Sequence, residues 1–212
     1  MASNLVKGAF ITLEGCEGSG KSTQLALLKD YLSKNGYSYS VTREPGGVPV
    51  SEEIRKIILD GNSREMTAET EALLFAAARA QHITERILPE KAAGKIVVCD
   101  RYIDSSFAYQ AYARGLGYGF VSAVNRFATE NCMPDATVFY DISPDEAFAR
   151  KGGADAGDRM EQSGIAFHRK VYEGYKSLAE KFPERIIVIN ARKSAEEVFE
   201  DTVSALKKRG IL

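Results

Sequence analysis

The chain has 212 residues, with 28 Lys and Arg against 29 Asp and Glu and a formal net charge of -1. That length suits one domain with a substantial core, residues 1–212 together, and the balanced charge excludes the global basic field that gathers nucleic acid or anionic lipid. No run approaches the ~18 apolar residues of a membrane span, and Cys16, Cys99 and Cys132 have neither CxxC nor Cys/His ligand spacing, so the chain reads as soluble and cytoplasmic with reduced thiols in its core.

Taken in order, the elements alternate as βαβ units and predict a parallel sheet. AFITLE (9 to 14) is the first buried strand. A helix from Lys21 to about Lys34 follows and stops at Asn35-Gly36, a helix-ending pair. YSVT (39 to 42) is the second strand. A helix from about Ser51 to Leu59 places Ile54, Ile57 and Ile58 on one face and turns Arg55 away from that stripe. A third helix runs from about Ala68 to the Pro89 region, with Thr67 as cap and Glu69 and Glu71 complementing the positive end of its dipole. IVVCD (96 to 100), TVFYDI (137 to 142) and IIVIN (186 to 190) complete the sheet. GGADAGD, after Lys151, has linker-like composition and reads as a surface loop.

The stretch from Gly15 to Ser22 fits GxxxxGK[ST] between an apolar strand and a helix, the context that motif requires. Glycines let backbone N–H groups turn onto phosphates, and the positive end of the next helix adds to the field. Lys21 reaches the β/γ oxygens of a nucleotide, Ser22 offers a hydroxyl to Mg²⁺, and Asp100, closing IVVC, is placed as the carboxylate that holds the metal directly or through water. NKxD and DxxG are absent, which argues against a GTPase switch. Arg43-Glu44-Pro45 and Asp100-Arg101-Tyr102 instead end two strands, where open α/β sheets bind ligands.

Helical spacing adds a base-reading face. Phe75 and Arg79 are four apart, as are Ser106 and Gln110; a ring and a guanidinium, then a hydroxyl and a carboxamide, share their faces. The Gln110 amide offers the acceptor and donors that N3–H and a neighbouring carbonyl of thymine or uracil demand. Periodicity alone reads Phe75 as core; Arg79 does not suit a core.

GCEGSGKST, TREPGG, LLFAAARAQH, CDRYIDSSFAYQ and DRMEQ, in that order and spacing over nearly the full length, resemble the bacterial thymidylate kinases. The resemblance implies a three-layer P-loop kinase fold with a five-stranded parallel sheet flanked by helices and a short lid (about 150–162). It also implies a homodimer that transfers the γ-phosphoryl of MgATP to dTMP. The donor loop is then Gly15, Cys16, Glu17, Gly18, Ser19, Gly20, Lys21, Ser22 and Thr23. On the acceptor side the family pattern sets Phe75 on thymine, Arg79, Ser106 and Gln110 around its edge, Arg55 and Arg101 on the phosphate beside Arg43, and Tyr109 under the deoxyribose, with Ser105 also among the dTMP-binding residues. Glu44-Pro45 matches a bond that is often cis, and Glu17 an acid beside the 3′-OH; its bland alternative is an exposed loop acid.

Transfer between two phosphates needs alignment and charge neutralisation, with no strong base. Lys21, Mg²⁺ on Ser22 and Asp100, Arg101, and a closing lid are the expected apparatus. Two departures stand out. The lid offers Arg150, Lys151 and Arg159 but no basic residue from Gly152 to Asp158, so Arg150 and Arg159 are both candidates for the arginine finger, Arg150 reading equally well as a solvated helix-end charge. Ala78 stands where some relatives place a serine near the base. The competing readings are another nucleoside monophosphate or deoxynucleoside kinase, a nucleotide-sensing module without catalysis, and a nucleic-acid-binding ATPase, for which the sequence has no basic patch with interleaved aromatics. The adenine region is expected at Asn190-Ala191-Arg192.

Overall fold

The computed structural model describes residues 8–63, 65–151 and 159–212. Five runs rich in β-branched and aromatic residues form β1 (Phe10–Glu14), β2 (Tyr39–Arg43), β3 (Ile96–Asp100), β4 (Ala136–Asp141) and β5 (Ile186–Asn190). All neighbours pair parallel, in the order β2-β3-β1-β4-β5, with Phe10 opposite Val97 and Ile11 opposite Ala136. Alternation along each strand feeds two cores. Phe10, Val97, Cys99 and Phe139 face one side, and Ile11, Leu13, Val98, Val138 and Tyr140 face the other. Burying each such side chain is worth about 1.5–3 kcal/mol, which accounts for near-continuous apolar strands in a sheet covered on both faces.

Helices α1 (Lys21–Lys34) and α9 (Ala195–Lys208) cover the second face, and α8 (Ile165–Lys181) with the segment after β3 covers the first. That segment is a short α5 (Ile103–Ser106) running into a π-helical stretch, Phe107–Ala113. Helices α2 (Pro49–Leu59), α3 (Ala68–His82) and α6 (Tyr118–Thr129) form a further row, with α3 packed against both others. A short α7 (Pro144–Lys151) follows β4. Among the described residues no helix is long and apolar enough to cross a membrane, and Cys16, Cys99 and Cys132 are free and buried.

Two sequence expectations need correction. Of the three isoleucines of α2 only Ile58 is fully buried, while Ile57 is 52% exposed, so the inward apolar stripe is narrower than its periodicity suggests. The third helix does not run unbroken: α3 ends at His82, a π-helical turn spans Ile83–Ile87, and α4 (Leu88–Ala92) begins there. Pro89 lacks an N–H and its ring crowds the carbonyl four residues back, at Glu85, so the widened turn sits where the regular ladder cannot continue. Thr67 does cap α3, accepting from Thr70 N, and Glu69 and Glu71 stand in its first turn as expected; Glu71 is in addition fully buried. Of the expected lid, about 150–162, residues 152–158 lie outside the described residues.

Candidate active site

The loop between β1 and α1 is shaped by its neighbours. Gly18 has φ 75°, and a Cβ there would come within 2.7 Å of Ala147 O. α1 starts with neither a side-chain cap nor an acid in its first turn, so its N–H groups stay available to an anion. Lys21 is buried and donates Nζ to Gly15 O and Cys16 O, both at 2.9 Å. Burial first, then the Arg101 charge, lowers its pKa. Both carbonyls are weak competitors for a lysine that a nucleotide phosphate could take over.

Across this loop, Arg101 follows β3 with φ 66°, a left-handed conformation for a residue with a Cβ. Its Nη1 donates to Gly15 O at 3.0 Å and Tyr175 OH at 3.2 Å, Nη2 donates to Glu17 Oε1, and its guanidinium lies 5.4 Å from the Tyr109 ring centroid. Beneath sits Glu14, which sequence reasoning passed over. Its Oε1 accepts from Tyr102 N at 2.8 Å; its Oε2 accepts from Ser105 Oγ at 2.6 Å and Tyr175 OH at 2.8 Å. Burial, with the nearby Asp104 charge, pushes the Glu14 carboxyl up to about 7. Ser105 and Tyr175 thus link Arg101 to an acid at the end of the central strand.

The opposite wall is built around a buried guanidinium. Arg79, 1% exposed, donates Nε to Glu44 Oε2 at 2.8 Å and Nη1 to Ser106 Oγ at 3.1 Å and to Asn125 Oδ1. Glu44 Oε1 pairs with His82 Nδ1 at 3.0 Å, and His82 Nε2 with Thr42 Oγ1 at 2.7 Å. Gly47 belongs to this network by close approach: a Cβ there would meet Thr42 Oγ1 at 2.5 Å and His82 Nε2 at 2.6 Å. The expectation that Arg79 does not suit a core is corrected by this paired acceptor set, which offsets burial of the charge. The Glu44-Pro45 bond is cis, and Pro45 O accepts from Arg55 Nη1 at 2.8 Å. Arg43 is half exposed and pairs with Glu52 at 2.9 Å.

These walls enclose one continuous cavity of about 440 Å³. The loop lines it from Glu17 through Thr23, and Asp100 and Arg101 line it at the end of β3. Arg43, Glu44, Pro45, Arg55, Phe75 and Arg79 form one side, and Ser105, Ser106, Tyr109 and Gln110 another. Phe75 is therefore a wall residue, not core. Gly15 and Cys16 lie behind the loop and offer carbonyls to Lys21. Sequence reasoning missed Leu59, Met160 and His168, which also line the cavity; nothing in their local pattern distinguished them from ordinary core residues, whereas Tyr102, named in the strand-end triplet without a role of its own, lines it too.

The two candidate finger arginines also stand outside it. Arg150 donates to Ala191 O at 2.7 Å and Arg192 O at 3.0 Å, and Arg159 donates to Ile58 O at 2.8 Å and Glu71 Oε2 at 2.6 Å. Neither lines the cavity in this structure, because each guanidinium is held by acceptors elsewhere. Ala78 is buried and does not line it either; its carbonyl accepts Ser51 Oγ at 2.7 Å.

Asp100 and Ser22 fit a hard cation. Asp100 Oδ1 is buried and accepts no hydrogen bond from any described residue, and Ser22 lines the same cavity. Among the described residues no group of three or more His, Cys, Asp or Glu could hold a metal alone. One carboxylate and one hydroxyl match Mg²⁺, which completes its shell with waters and phosphate oxygens.

Comparison with known proteins agrees with this geometry. The thymidylate kinase family model matches residues 13–202. The thymidylate kinase of Clostridium novyi (strain NT) is 49% identical over 203 residues, covering 95% of this chain and 99% of that protein. That of Bacillus cytotoxicus is 48% identical over 206 residues, covering 96% and 99%, and that of Halalkalibacterium halodurans 46% identical over 207, covering 97% and 99%. A phosphate loop and a base-sized polar wall sharing one cavity, together with near-full-length identity of this degree, establish that the chain belongs to the thymidylate kinase family.

Proposed function

We propose that this chain transfers the γ-phosphoryl of ATP to dTMP, giving ADP and dTDP for dTTP synthesis. The observation that carries the reading is the single cavity lined by both the phosphate loop and the wall of Phe75, Arg79, Ser106 and Gln110. Donor and acceptor then meet end to end between Lys21 and Arg101.

In this reading the backbone N–H groups at the start of α1 hold the donor phosphates, and Lys21 exchanges its carbonyl acceptors for phosphate oxygens. Arg101, with Arg55 and Arg43 nearby, grips the acceptor phosphate, and a guanidinium suits two oxygens at once. Phe75 stacks on thymine, Gln110 reads its edge, Tyr109 lies against the sugar, and Glu17 accepts from the 3′-OH. Ser22 and Asp100 would hold Mg²⁺, which when bound neutralises charge on the transferred group. The acceptor is already an anion, so positioning and charge compensation supply the rate. Arg150 and Arg159 remain the lid-root candidates for the finger, and each must leave its present acceptors to serve.

The reading includes one catalytic domain over residues 1–212 and a cytoplasmic setting, which three free, buried cysteines suit. It also includes a homodimer. Supporting this, Ile57 on α2, Leu73 on α3 and Phe127 on α6 are 52%, 53% and 92% exposed along one packed row of helices, an apolar surface of the kind partners cover.

ADP release measured with dTMP, dUMP, dCMP and AMP tests the assignment. Turnover is expected with dTMP, weaker with dUMP, which lacks one methyl contact worth about 10- to 200-fold. Intact ATP binding without dTMP-dependent turnover would sink it.

A further inference from the structure

Glu71 stands in the first turn of α3 with no exposed surface, and both its oxygens are engaged. Oε1 accepts from Gln110 Nε2 at 2.9 Å and Arg114 Nε at 3.3 Å; Oε2 accepts from Arg114 Nη2 at 3.1 Å and Arg159 Nη2 at 2.6 Å. The donors are themselves fixed. Arg114 lies over the Phe167 ring, 4.4 Å from its centroid, and Arg159 Nε donates to Ile58 O at 2.8 Å. Burial pushes the Glu71 carboxyl up, but the Gln110 hydrogen bond and the two arginines outweigh it and hold it below the usual range. At neutral pH it is ionised and accepts only.

A carboxamide is nearly symmetric in shape, and turning it over exchanges acceptor for donor. Thymine and uracil present N3–H beside a carbonyl; cytosine presents a bare N3 beside an amino group. The two kinds of base therefore demand opposite orientations of the same glutamine. A glutamine free to turn would read both, at little cost. Facing an ionised Glu71, Gln110 can offer only Nε2, and its Oε1, which accepts from no described residue, is left for the cavity that Gln110 lines.

We propose that Glu71 is a specificity-positioning residue: by accepting from Gln110 Nε2 it locks the amide so that Oε1 meets a base N3–H, selecting thymine or uracil over cytosine. This rests on the reading of Gln110 as the base contact. Glu71 touches no substrate and acts through the amide. Arg114 and Arg159 keep it ionised and in place.

The test compares kcat/KM for dTMP and dCMP in the wild type, Glu71→Gln and Gln110→Ala. A carboxamide at 71 accepts or donates equally well, so Gln110 can turn. In Glu71→Gln the preference for dTMP over dCMP is expected to fall about tenfold or more, through the KM of the nucleotide, with KM for ATP within about twofold. A preference equal to wild type overturns the inference, as does an equal loss in ATP affinity, which marks a merely structural defect. Gln110→Ala separates the two layers: an unchanged preference there removes the base assignment itself. If Glu71→Gln does not fold, side-chain amide exchange of wild-type Gln110 by NMR decides. One protected proton is expected, and free exchange of both overturns the lock.

Discussion

Glu17 and Arg101 meet where the phosphate loop faces the end of β3: Nη2 of the arginine donates to Glu17 Oε1, while Nη1 of the same guanidinium donates to Gly15 O. The loop acid therefore holds the arginine that the proposed reading sets on the acceptor phosphate. Replacing it separates this task from the sugar contact. Glu17→Gln is expected to lower kcat/KM for dTMP about tenfold, yet leave a 3′-deoxy analogue within a few-fold of wild type. Equal losses for both nucleotides would take Glu17 away from the 3′-OH.

Among the described residues Lys21 Nζ donates to two backbone carbonyls and to no carboxylate, so Lys21→Met removes a cation without taking a hydrogen bond from an acid. Its kcat is expected to drop about 10²- to 10³-fold while the melting temperature changes little. A folded variant with near wild-type turnover would show that the loop lysine does not serve the transferred group.

Glu44 is the counter-charge of a guanidinium buried at 1% exposure. Glu44→Ala leaves Arg79 and His82 without it, and a loss of about 3–5 kcal/mol in urea unfolding at pH 7 is expected. Part of this should return in the double variant with Arg79→Met, because no uncompensated charge remains. Additive losses would show the two to be energetically independent.

Glu14 gives a pH signature of unusual sign. Its folded pKa of about 7 exceeds the ordinary 4.5, so the native state binds the proton more tightly than the unfolded chain. Its contribution is complete below the unfolded value and fades as pH rises through 7. Between pH 5 and 8 the wild type should lose about 2 kcal/mol more than Glu14→Gln, read from urea unfolding at both pH values. Parallel pH profiles would place the titration elsewhere.

The strands were legible because β-branched buried runs between glycine turns leave few alternatives, and the phosphate loop because its glycines, lysine and hydroxyl are contiguous. The polar walls were harder. Glu71 in the sequence is an acid one turn past a Thr67 cap, fully explained by the helix dipole; its partners come from 39, 43 and 88 residues away. Glu14 likewise ends an apolar strand, and Tyr175, its partner, is 161 residues on. Local pattern cannot signal such contacts. Ile57 failed for the opposite reason, since helical periodicity marks an apolar face but not what covers it. Arg150 and Arg159 were found as lid-root cations, whereas the carbonyls and carboxylate that hold them depend on chain crossings that only the fold supplies.

The paired acids around the cavity also bear on ionic strength. Arg79, Arg101 and the Arg114–Arg159 couple each face a carboxylate already in the protein, so the site offers oriented dipoles and a small net excess of charge, not an open cationic field. Exposed charges are screened over about 8 Å at physiological salt, whereas enclosed pairs are screened far less. Nucleotide capture by this chain is thus expected to weaken less with added salt than capture on an open cationic field, and among the described residues these walls offer a polyanion no extended unpaired surface.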